Sequence, residues 1–204
     1  MDSFYGAVRG FFNVLFRAFL GMRVRGGKWF PREGRVIVAL NHVSGYDPLI
    51  VGSAAPRELH YLAKIELFRN PILARILHRI NAIPLRRGQT DRHAISAAVD
   101  VLEKDRPLLL FPEGTRSRTG RLQSGKRGVG MLAWKSQADV LPVYLSGTFR
   151  MFPHLLRRRI TVTFGRPILI ERFRSLRMPL RDLYRRISDE TMNRIRELRD
   201  GRHD

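Results

Sequence analysis

The chain has 204 residues, 44% of them apolar, which suits a folded domain with a sizeable core and argues against disorder. It contains no cysteine, which excludes disulfide bonds, thiolate metal sites and a cysteine nucleophile. The formal net charge is +20, and only five of the 38 basic residues are lysine, so this arginine-rich chain is expected to bind anions. Charge alone does not choose among phosphate esters, anionic lipids and nucleic acids.

Residues 1–30 are predicted to form an amphipathic segment that associates with a membrane. Six of the chain's 19 aromatic residues fall within the first 20 positions, and in a helix Arg9, Asn13 and Arg17 line up as a thin polar stripe. Aromatic rings settle at the headgroup level of a bilayer, and arginine can reach lipid phosphate. A helix packed on the domain is the alternative interpretation. The expected membrane contacts are Phe4, Phe11, Phe12, Phe16 and Phe19.

Neither a membrane-spanning helix nor a signal peptide is predicted. Charged residues interrupt the N-terminal segment before it reaches the roughly 18 to 20 apolar residues that a spanning helix needs. The apolar stretch also contains Arg9 and Arg17 and lacks a small-residue cleavage site, which fits a signal peptide poorly.

Residues 31–204 alternate between strand and helix patterns, and several of the strands are apolar on both faces, as buried strands are. This order predicts an α/β domain with a mixed, largely parallel central sheet flanked by helices. The predicted strands are 35–40, 59–63, 81–85, 106–112, 139–147 and 159–165. The predicted helices are 48–55, 71–80, 91–104 (with Thr90 or Asp91 as its cap), 125–137 and 179–199.

The stretch ALNHVSGYDPLIVG follows the first predicted strand of this domain and carries His42 and Asp47. In α/β folds, functional residues gather in loops beyond the carboxyl ends of strands. An imidazole can accept a proton at neutral pH, and a nearby carboxylate can fix its tautomer. The alternative is a purely structural turn, in which His42 only forms hydrogen bonds and Asp47, before Pro48, is a helix N-cap.

Two basic turns follow other predicted strands. In FPEGTRSRTG (111–120), Arg116 with hydroxyls and backbone amides could cradle a phosphate, and Glu113 could hold Arg116 or bind a hydroxyl. In IPLRRGQ (83–89), Arg86 and Arg87 could meet the same anion at one edge of the sheet. A solvated basic loop remains the alternative for both turns.

Other site classes lack their sequence signatures. There is no G-x-S-x-G elbow, no Walker A loop and no G-x-G-x-x-G after a strand. The six histidines are scattered without a usual ligand spacing, so no metal and no cofactor are expected.

Four blocks, taken in order, resemble the glycerolipid acyltransferase family of the 1-acylglycerol-3-phosphate acyltransferase type. NHVSGYD (41–47) is similar to its N-H-x-S-x-x-D block, and FPEGTRS (111–117) matches its third block fully. NAIPLRRG (81–88) resembles the second block, with Asn81 where glycine is usual, and VLPVYLSGT (140–148) resembles the fourth.

The resemblance implies that His42 is a general base and Asp47 its partner in moving an acyl group from a thioester, acyl-CoA or acyl carrier protein, to a lysophospholipid hydroxyl. The acceptor is expected to be 1-acylglycerol 3-phosphate and the product phosphatidic acid. The expected place of action is the cytoplasmic face of an anionic membrane, with the protein peripheral or monotopic. The expected substrate contacts are Asn41, Ser44, Arg86, Arg87, Glu113, Gly114, Thr115, Arg116, Ser117, Lys126 and Pro142.

Two alternative functions stay open at this point. A family member of this kind could act on another lysolipid or on glycerol 3-phosphate. A basic protein without catalytic activity could bind lipid or nucleic acid, and it would then show strongly salt-dependent binding. The aromatic residues cluster in the N-terminal helix instead of alternating with arginine on a strand face, so nucleic acid is not an expected partner.

Overall fold

The computed structural model describes residues 3–86, 91–150 and 159–202. Over these ranges the chain forms a seven-stranded sheet and six α-helices, with three short 3-10 helices at Gly27–Trp29, Ile65–Arg69 and Ile170–Phe173. The strands are β1 (Arg23–Arg25), β2 (Val36–Leu40), β3 (His60–Lys64), β4 (Ala82–Leu85), β5 (Leu108–Leu110), β6 (Asp139–Ser146) and β7 (Thr161–Phe164). The helices are α1 (Ser3–Leu20), α2 (Asp47–Ala54), α3 (Pro71–Arg79), α4 (Arg92–Glu103), α5 (Gly128–Ser136) and α6 (Leu180–Arg199).

The sheet is mixed and largely parallel, as the sequence predicts, with the strand order β1-β7-β6-β2-β5-β3-β4. Strands β2 to β6 are parallel, and β7 pairs antiparallel with β6. The carboxyl ends of β2 to β6 therefore share one edge of the sheet, which we call the site edge. All five residues of β2 are buried, because alternate side chains enter the cores on the two faces of the sheet.

The helices divide between the two faces because crossover connections between parallel strands are right-handed. The chain moves from β2 through β3 to β4 in one direction across the sheet, which places α2 and α3 on one face. It then returns through β5 to β6, which places α4 and α5 on the other face, where α6 also packs. Helix α1 packs against α2, so α1, α2 and α3 form one layer.

Helix α1 is docked on the domain by its polar stripe. The Arg9 guanidinium donates to the carbonyls of Ala55 and Pro56, at 3.0 Å each, and the Asn13 amide donates to the Ser53 carbonyl at 2.7 Å. These carbonyls lie at the end of α2, where a helix leaves its last acceptors unpaired. The Arg9 and Asn13 side chains of this stripe are therefore used on the domain, as the alternative of a packed helix requires.

The buried side of α1 also includes Phe16, which is 6% exposed and packs in the core. The prediction that Phe16 contacts the membrane is therefore wrong, because its ring is buried inside the domain. Phe12 is partly buried against the same core. Phe11 and Phe19 remain 65% and 64% exposed, beside Val14. Among the described residues, none of the helices combines enough length and apolarity to cross a bilayer.

A tyrosine pair ties α1 to the sheet. The Tyr5 hydroxyl accepts the backbone N–H of Leu59 at 2.9 Å and lies 3.1 Å from the Tyr61 hydroxyl. A Cβ at Gly52 would come within 2.2 Å of that Tyr61 hydroxyl, so glycine is needed there for α2 to pass this pair. Burial raises the pKa of both phenols, which keeps them neutral hydrogen-bonding groups.

Strand β1 was not predicted from the sequence. It contains three residues and pairs parallel with β7, from Arg23 opposite Thr161 to Arg25 opposite Thr163. Two of its three side chains are exposed arginines, so the segment carries too little apolar alternation to indicate a strand. The central sheet thus takes in residues that precede position 31.

His60, at the start of β3, makes folding depend on pH. Burial, followed by the positive charge of Arg106, lowers the pKa of its imidazole from 6.5 to about 4. Between those values the unfolded chain binds a proton that the folded chain does not, so stability is full above pH 6.5 and falls as pH drops toward 4. This loss amounts to about 3 kcal/mol.

We therefore expect His60→Leu to lose less stability than the unmodified chain between pH 6.5 and 4. The measurement is the difference in the free energy of unfolding, by urea denaturation, at a series of pH values. Equal slopes for both chains would show that His60 does not titrate in this way.

Candidate active site

The site is built around His42, which lies just beyond the carboxyl end of β2. Its Nδ1 is 3.0 Å from Asp47 Oδ2, and the two side chains are 7% and 0% exposed. Because a carboxylate only accepts hydrogen bonds, this contact selects the neutral tautomer in which Nδ1 carries the proton and Nε2 holds the lone pair. Among the described residues nothing donates to Nε2. The hypothesis that His42 and Asp47 form a pair across the VSGY turn is thus matched by the geometry.

The predicted N-cap role of Asp47 is wrong. Helix α2 begins at Asp47 itself, and the residue in the N-cap position is Tyr46, whose side chain makes no capping hydrogen bond. Oδ2 instead accepts the backbone N–H groups of Val43 and Ser44, at 2.8 Å each, in addition to the imidazole N–H. The carboxylate therefore shapes the loop that precedes the helix and orients the imidazole at the same time.

The loop after β5 holds His42 from its other side. The Phe111 ring stacks on the imidazole, with the ring centroids 3.8 Å apart. Glu113 Oε1 accepts the backbone N–H of His42 at 3.4 Å, and the backbone N–H of Ser117 donates to the His42 carbonyl at 2.8 Å. The imidazole is thus fixed by stacking, by its backbone and by Asp47.

Asn41 and Ser44 both form hydrogen bonds that shape the loop around His42. The buried Asn41 amide donates to the Leu145 carbonyl at 3.0 Å and accepts the Leu145 N–H at 2.8 Å, which fastens the end of β2 to β6. Its expected role as a substrate contact stays a prediction beside this structural one. The Ser44 hydroxyl accepts the Tyr46 N–H at 3.3 Å and keeps its own O–H available as a donor.

An open cleft of about 660 Å³ lies beside this pair. Its walls include three of the expected substrate contacts, Thr115, Arg116 and Ser117. The exposed Arg116 guanidinium reaches the His42 loop, since it lies 3.7 Å from the point where a Cβ on Gly45 would stand. The cleft is also lined by Val43, Arg118, Thr119 and Gln123.

Gly114 and Lys126 meet at the base of this loop. Gly114 has a φ of +72°, and a Cβ there would lie 2.9 Å from the Lys126 side chain. The Lys126 backbone N–H donates to the Pro112 carbonyl at 2.8 Å, which closes the loop on itself. The exposed ammonium of Lys126 therefore sits over the FPEG turn, where it adds positive charge close to the site.

Arg86 lies on the site edge but away from His42. It follows β4, which is three strands from β2, or roughly 14 Å at ordinary strand spacing. Its backbone N–H donates to Asp91 at 2.8 Å, and Asp91 is also the cap of α4. Arg87 lies outside the described residues.

Asn81, which stands where glycine is usual, adopts a φ of +63°. Asparagine tolerates this left-handed region better than most non-glycine residues, so Asn81 can occupy a position where glycine is usual.

Pro142 is not brought to the cleft. It is buried in the middle of β6, opposite Ala39, and lines a different cavity of about 260 Å³ with Gly165, Arg166, Arg194, Glu197, Leu198 and Arg202. Its expected role in shaping the substrate site stays a prediction, and in β6 it is Leu145 that bonds Asn41 at the end of β2.

Gln123 is a site residue that the sequence did not indicate. Its side-chain amide donates to Glu113 Oε2 at 2.8 Å and to the Thr115 carbonyl at 3.2 Å. Burial raises the pKa of the Glu113 carboxyl, and the hydrogen bonds from Gln123 and from the His42 backbone oppose that rise. A lone glutamine ten residues from its partner follows no recognisable motif, so only the fold reveals it.

Comparison with known proteins identifies the family. The profile of the Acyltransferase family matches residues 21–146, so the chain belongs to the acyltransferase family and the resemblance is confirmed. A 1-acyl-sn-glycerol-3-phosphate acyltransferase from Streptococcus pneumoniae is 30% identical over 138 residues, covering 67% of this chain and 50% of that protein. Another, from Bacillus subtilis, is 25% identical and covers 87% of this chain and 88% of that protein.

The fold agrees with a solved structure of the same family. The crystal structure of the 1-acyl-sn-glycerophosphate (LPA) acyltransferase PlsC from Thermotoga maritima matches with a TM-score of 0.74 and 26% identity, covering 98% of this chain and 80% of that one. The chain spans about half the length of the relatives from S. pneumoniae and Borreliella burgdorferi, 50% and 52% respectively.

We expect Gln123→Ala to raise the pKa of Glu113 further, because a donor to its carboxylate is lost. The pKa can be followed by carbon NMR of the glutamate carboxyls, and the free energy of unfolding should fall by about 1–2 kcal/mol. The matched control is Ser124→Ala, an exposed neighbour in the same loop that should leave both quantities unchanged. An unaltered Glu113 titration in Gln123→Ala would refute the role given to this amide.

Proposed function

We propose that the protein transfers an acyl group from a thioester to the free hydroxyl of 1-acylglycerol 3-phosphate, which gives phosphatidic acid. The observation that carries this proposal is the 3.0 Å contact between His42 Nδ1 and Asp47 Oδ2, which leaves Nε2 as a base at the site edge. The names of the relatives, which describe acyl transfer to an acylated glycerol phosphate, support the same reaction.

The reaction needs a base and no acylated side chain. Nε2 of His42 removes the proton from the acceptor hydroxyl as its oxygen attacks the thioester carbonyl, and Asp47 stabilises the imidazolium that forms. The new oxygen–carbon bond replaces the carbon–sulfur bond, and the imidazolium returns its proton to the departing thiolate. Atoms and charge therefore balance with His42 as the proton carrier.

The basic cleft suits the phosphate of the acceptor. Arg116 reaches the His42 loop, and guanidinium binds phosphate oxygens through two parallel hydrogen bonds. Arg118 and the hydroxyl of Thr115 line the same cleft. Holding the phosphate there would keep the acceptor hydroxyl near Nε2, and such orientation lowers a barrier by several kcal/mol. Acyl-CoA and acyl carrier protein both fit as donors, because each presents the acyl group as a thioester.

We expect His42→Ala to lose at least about a hundredfold in turnover, because the proton acceptor is removed. The measurement is thiol release from acyl-CoA or acyl carrier protein in the presence of lysophosphatidic acid. His93→Ala, an exposed histidine on α4, is the control and should keep full activity. Intact turnover by His42→Ala would rule out the proposed base.

The same assay separates the alternatives. A preference for glycerol 3-phosphate or another lysolipid would show that the acceptor is a different molecule, and the proposed role of His42 as the base would still hold. Absence of turnover with every acceptor and both donors would instead support a protein that binds lipid or nucleic acid without catalysis.

We also propose that α1 contacts an anionic membrane at its cytoplasmic face, through Phe11, Phe19 and the neighbouring Val14. These side chains point outward while the polar stripe is used on the domain. Deletion of α1 would be a poor test, because Tyr5 and Phe16 belong to the fold.

Phe11→Gln with Phe19→Gln should weaken partitioning onto phosphatidylglycerol-containing vesicles by at least about tenfold, because two apolar side chains no longer enter the lipid. Partitioning is measured by vesicle flotation with the folded variants. Leu180→Gln, at an exposed apolar position on α6, is the control. Equal partitioning of variant and control would contradict the membrane role of α1.

A further inference from the structure

Helix α3 carries apolar side chains that the fold does not use. None of its nine residues is buried. Ile72 is 71% exposed and Ile76, one turn later, is 45% exposed, with Leu73 beside them. Leu67, from the preceding 3-10 helix Ile65–Arg69, is also exposed. Contiguous exposed apolar side chains on one surface mark a site of interaction with another apolar phase.

This surface adjoins α1. The Arg79 guanidinium at the end of α3 lies 5.1 Å from the centre of the Phe4 ring, and Ile80 lines one small crevice together with Tyr5 and Phe12. Helices α1 and α3 therefore belong to one layer on the same face of the sheet. The segment Ile65–Arg69, which leads into α3, leaves β3 at the site edge, and α3 ends beside Phe4 of α1.

The charges around these side chains are basic. Residues 64–80 contain Lys64, Arg69, Arg75 and Arg79 and one acidic residue, Glu66. Glu66 is paired with Lys64 at 3.3 Å, so the three arginines remain in excess. All three are exposed. Apolar residues framed by arginine are the pattern of a helix that lies in the interface of an anionic bilayer.

We propose that the segment Ile65–Arg79 is a second membrane contact, in which Leu67, Ile72 and Ile76 enter an anionic phospholipid surface. This inference rests on the membrane contact proposed for α1. A single helix lying on a bilayer leaves the domain free to rotate about the helix axis. A second contact removes that rotation and fixes the direction in which the site edge faces the lipid.

The direct test is Ile72→Gln with Ile76→Gln, measured by flotation with vesicles of phosphatidylcholine and phosphatidylglycerol. Partitioning should weaken by at least about tenfold, because two apolar side chains no longer enter the lipid. Leu169→Gln with Leu180→Gln is the matched control, since both positions are exposed and apolar but lie outside the proposed surface. Equal partitioning of the two folded double variants would overturn the proposal.

The charge of the surface gives an independent arm. Arg69→Gln with Arg75→Gln should weaken binding to the anionic vesicles by about fivefold for each arginine and leave binding to pure phosphatidylcholine unchanged. A loss of the same size on both kinds of vesicle would contradict electrostatic recognition of the lipid headgroup.

Two further measurements separate this proposal from the others. With a soluble short-chain lysophosphatidic acid and a short-chain acyl thioester, Ile72→Gln/Ile76→Gln should keep the turnover of the unmodified chain, and a loss would assign the surface to the substrate site instead. Absence of turnover in all variants would count against the proposed reaction. The flotation results would still test the membrane contact, because they do not depend on turnover. Self-association that disappears in the variant, with vesicle binding intact, would identify a second copy of the chain as the partner and overturn the lipid assignment.

Discussion

The site depends on one carboxylate oxygen. Asp47 Oδ2 accepts the imidazole N–H of His42 and the backbone N–H groups of Val43 and Ser44, all within 3.0 Å and away from solvent. Hydrogen bonds to a charged acceptor contribute more than neutral ones, about 1.5–3 kcal/mol each. The same atom therefore sets the path of the loop and the tautomer of the base, and its loss would disturb both.

The rest of the fold brings partners to that loop. Because β5 is the parallel neighbour of β2, the FPEG turn emerges beside the His42 turn, and Glu113 and Ser117 bind its backbone. Asn41 adds a third attachment, to β6. Three adjacent strands thus support the base, and Arg116 and Arg118 stay exposed in the cleft beside it.

Much of this architecture could be predicted from sequence because its signals are local. The strands from β2 to β7 are short apolar runs, and the pairing of His42 with Asp47 follows from a strand, a turn and a helix. The order of blocks along the chain also identified the family. The tolerance of a positive φ by Asn81 is likewise a property of the residue itself.

The features that could not be predicted are contacts between elements, which depend on the side of each element that faces the domain. The polar stripe of α1 pairs with the end of α2, where unpaired carbonyls lie, and no periodicity in α1 records those carbonyls. Phe16 is buried because this docking of α1 turns its ring toward the core. Gln123 and Asn41 act through partners ten and 104 residues away, and Pro142 shares a block with Leu145 without sharing its contacts.

Helix α2 connects the proposed catalytic base to α1, the helix that is proposed to contact the membrane. Asp47 is the first residue of α2. The Asn13 and Arg9 side chains of α1 donate hydrogen bonds to carbonyls at the other end of α2. The helix has eight residues, so its two ends are about 12 Å apart. With α1 lying in the membrane surface, this helix would act as a spacer that holds the base at a set height above the acyl chains. Acceptors would then be sorted by how deep their hydroxyl lies in the bilayer, before any contact with their headgroup is made.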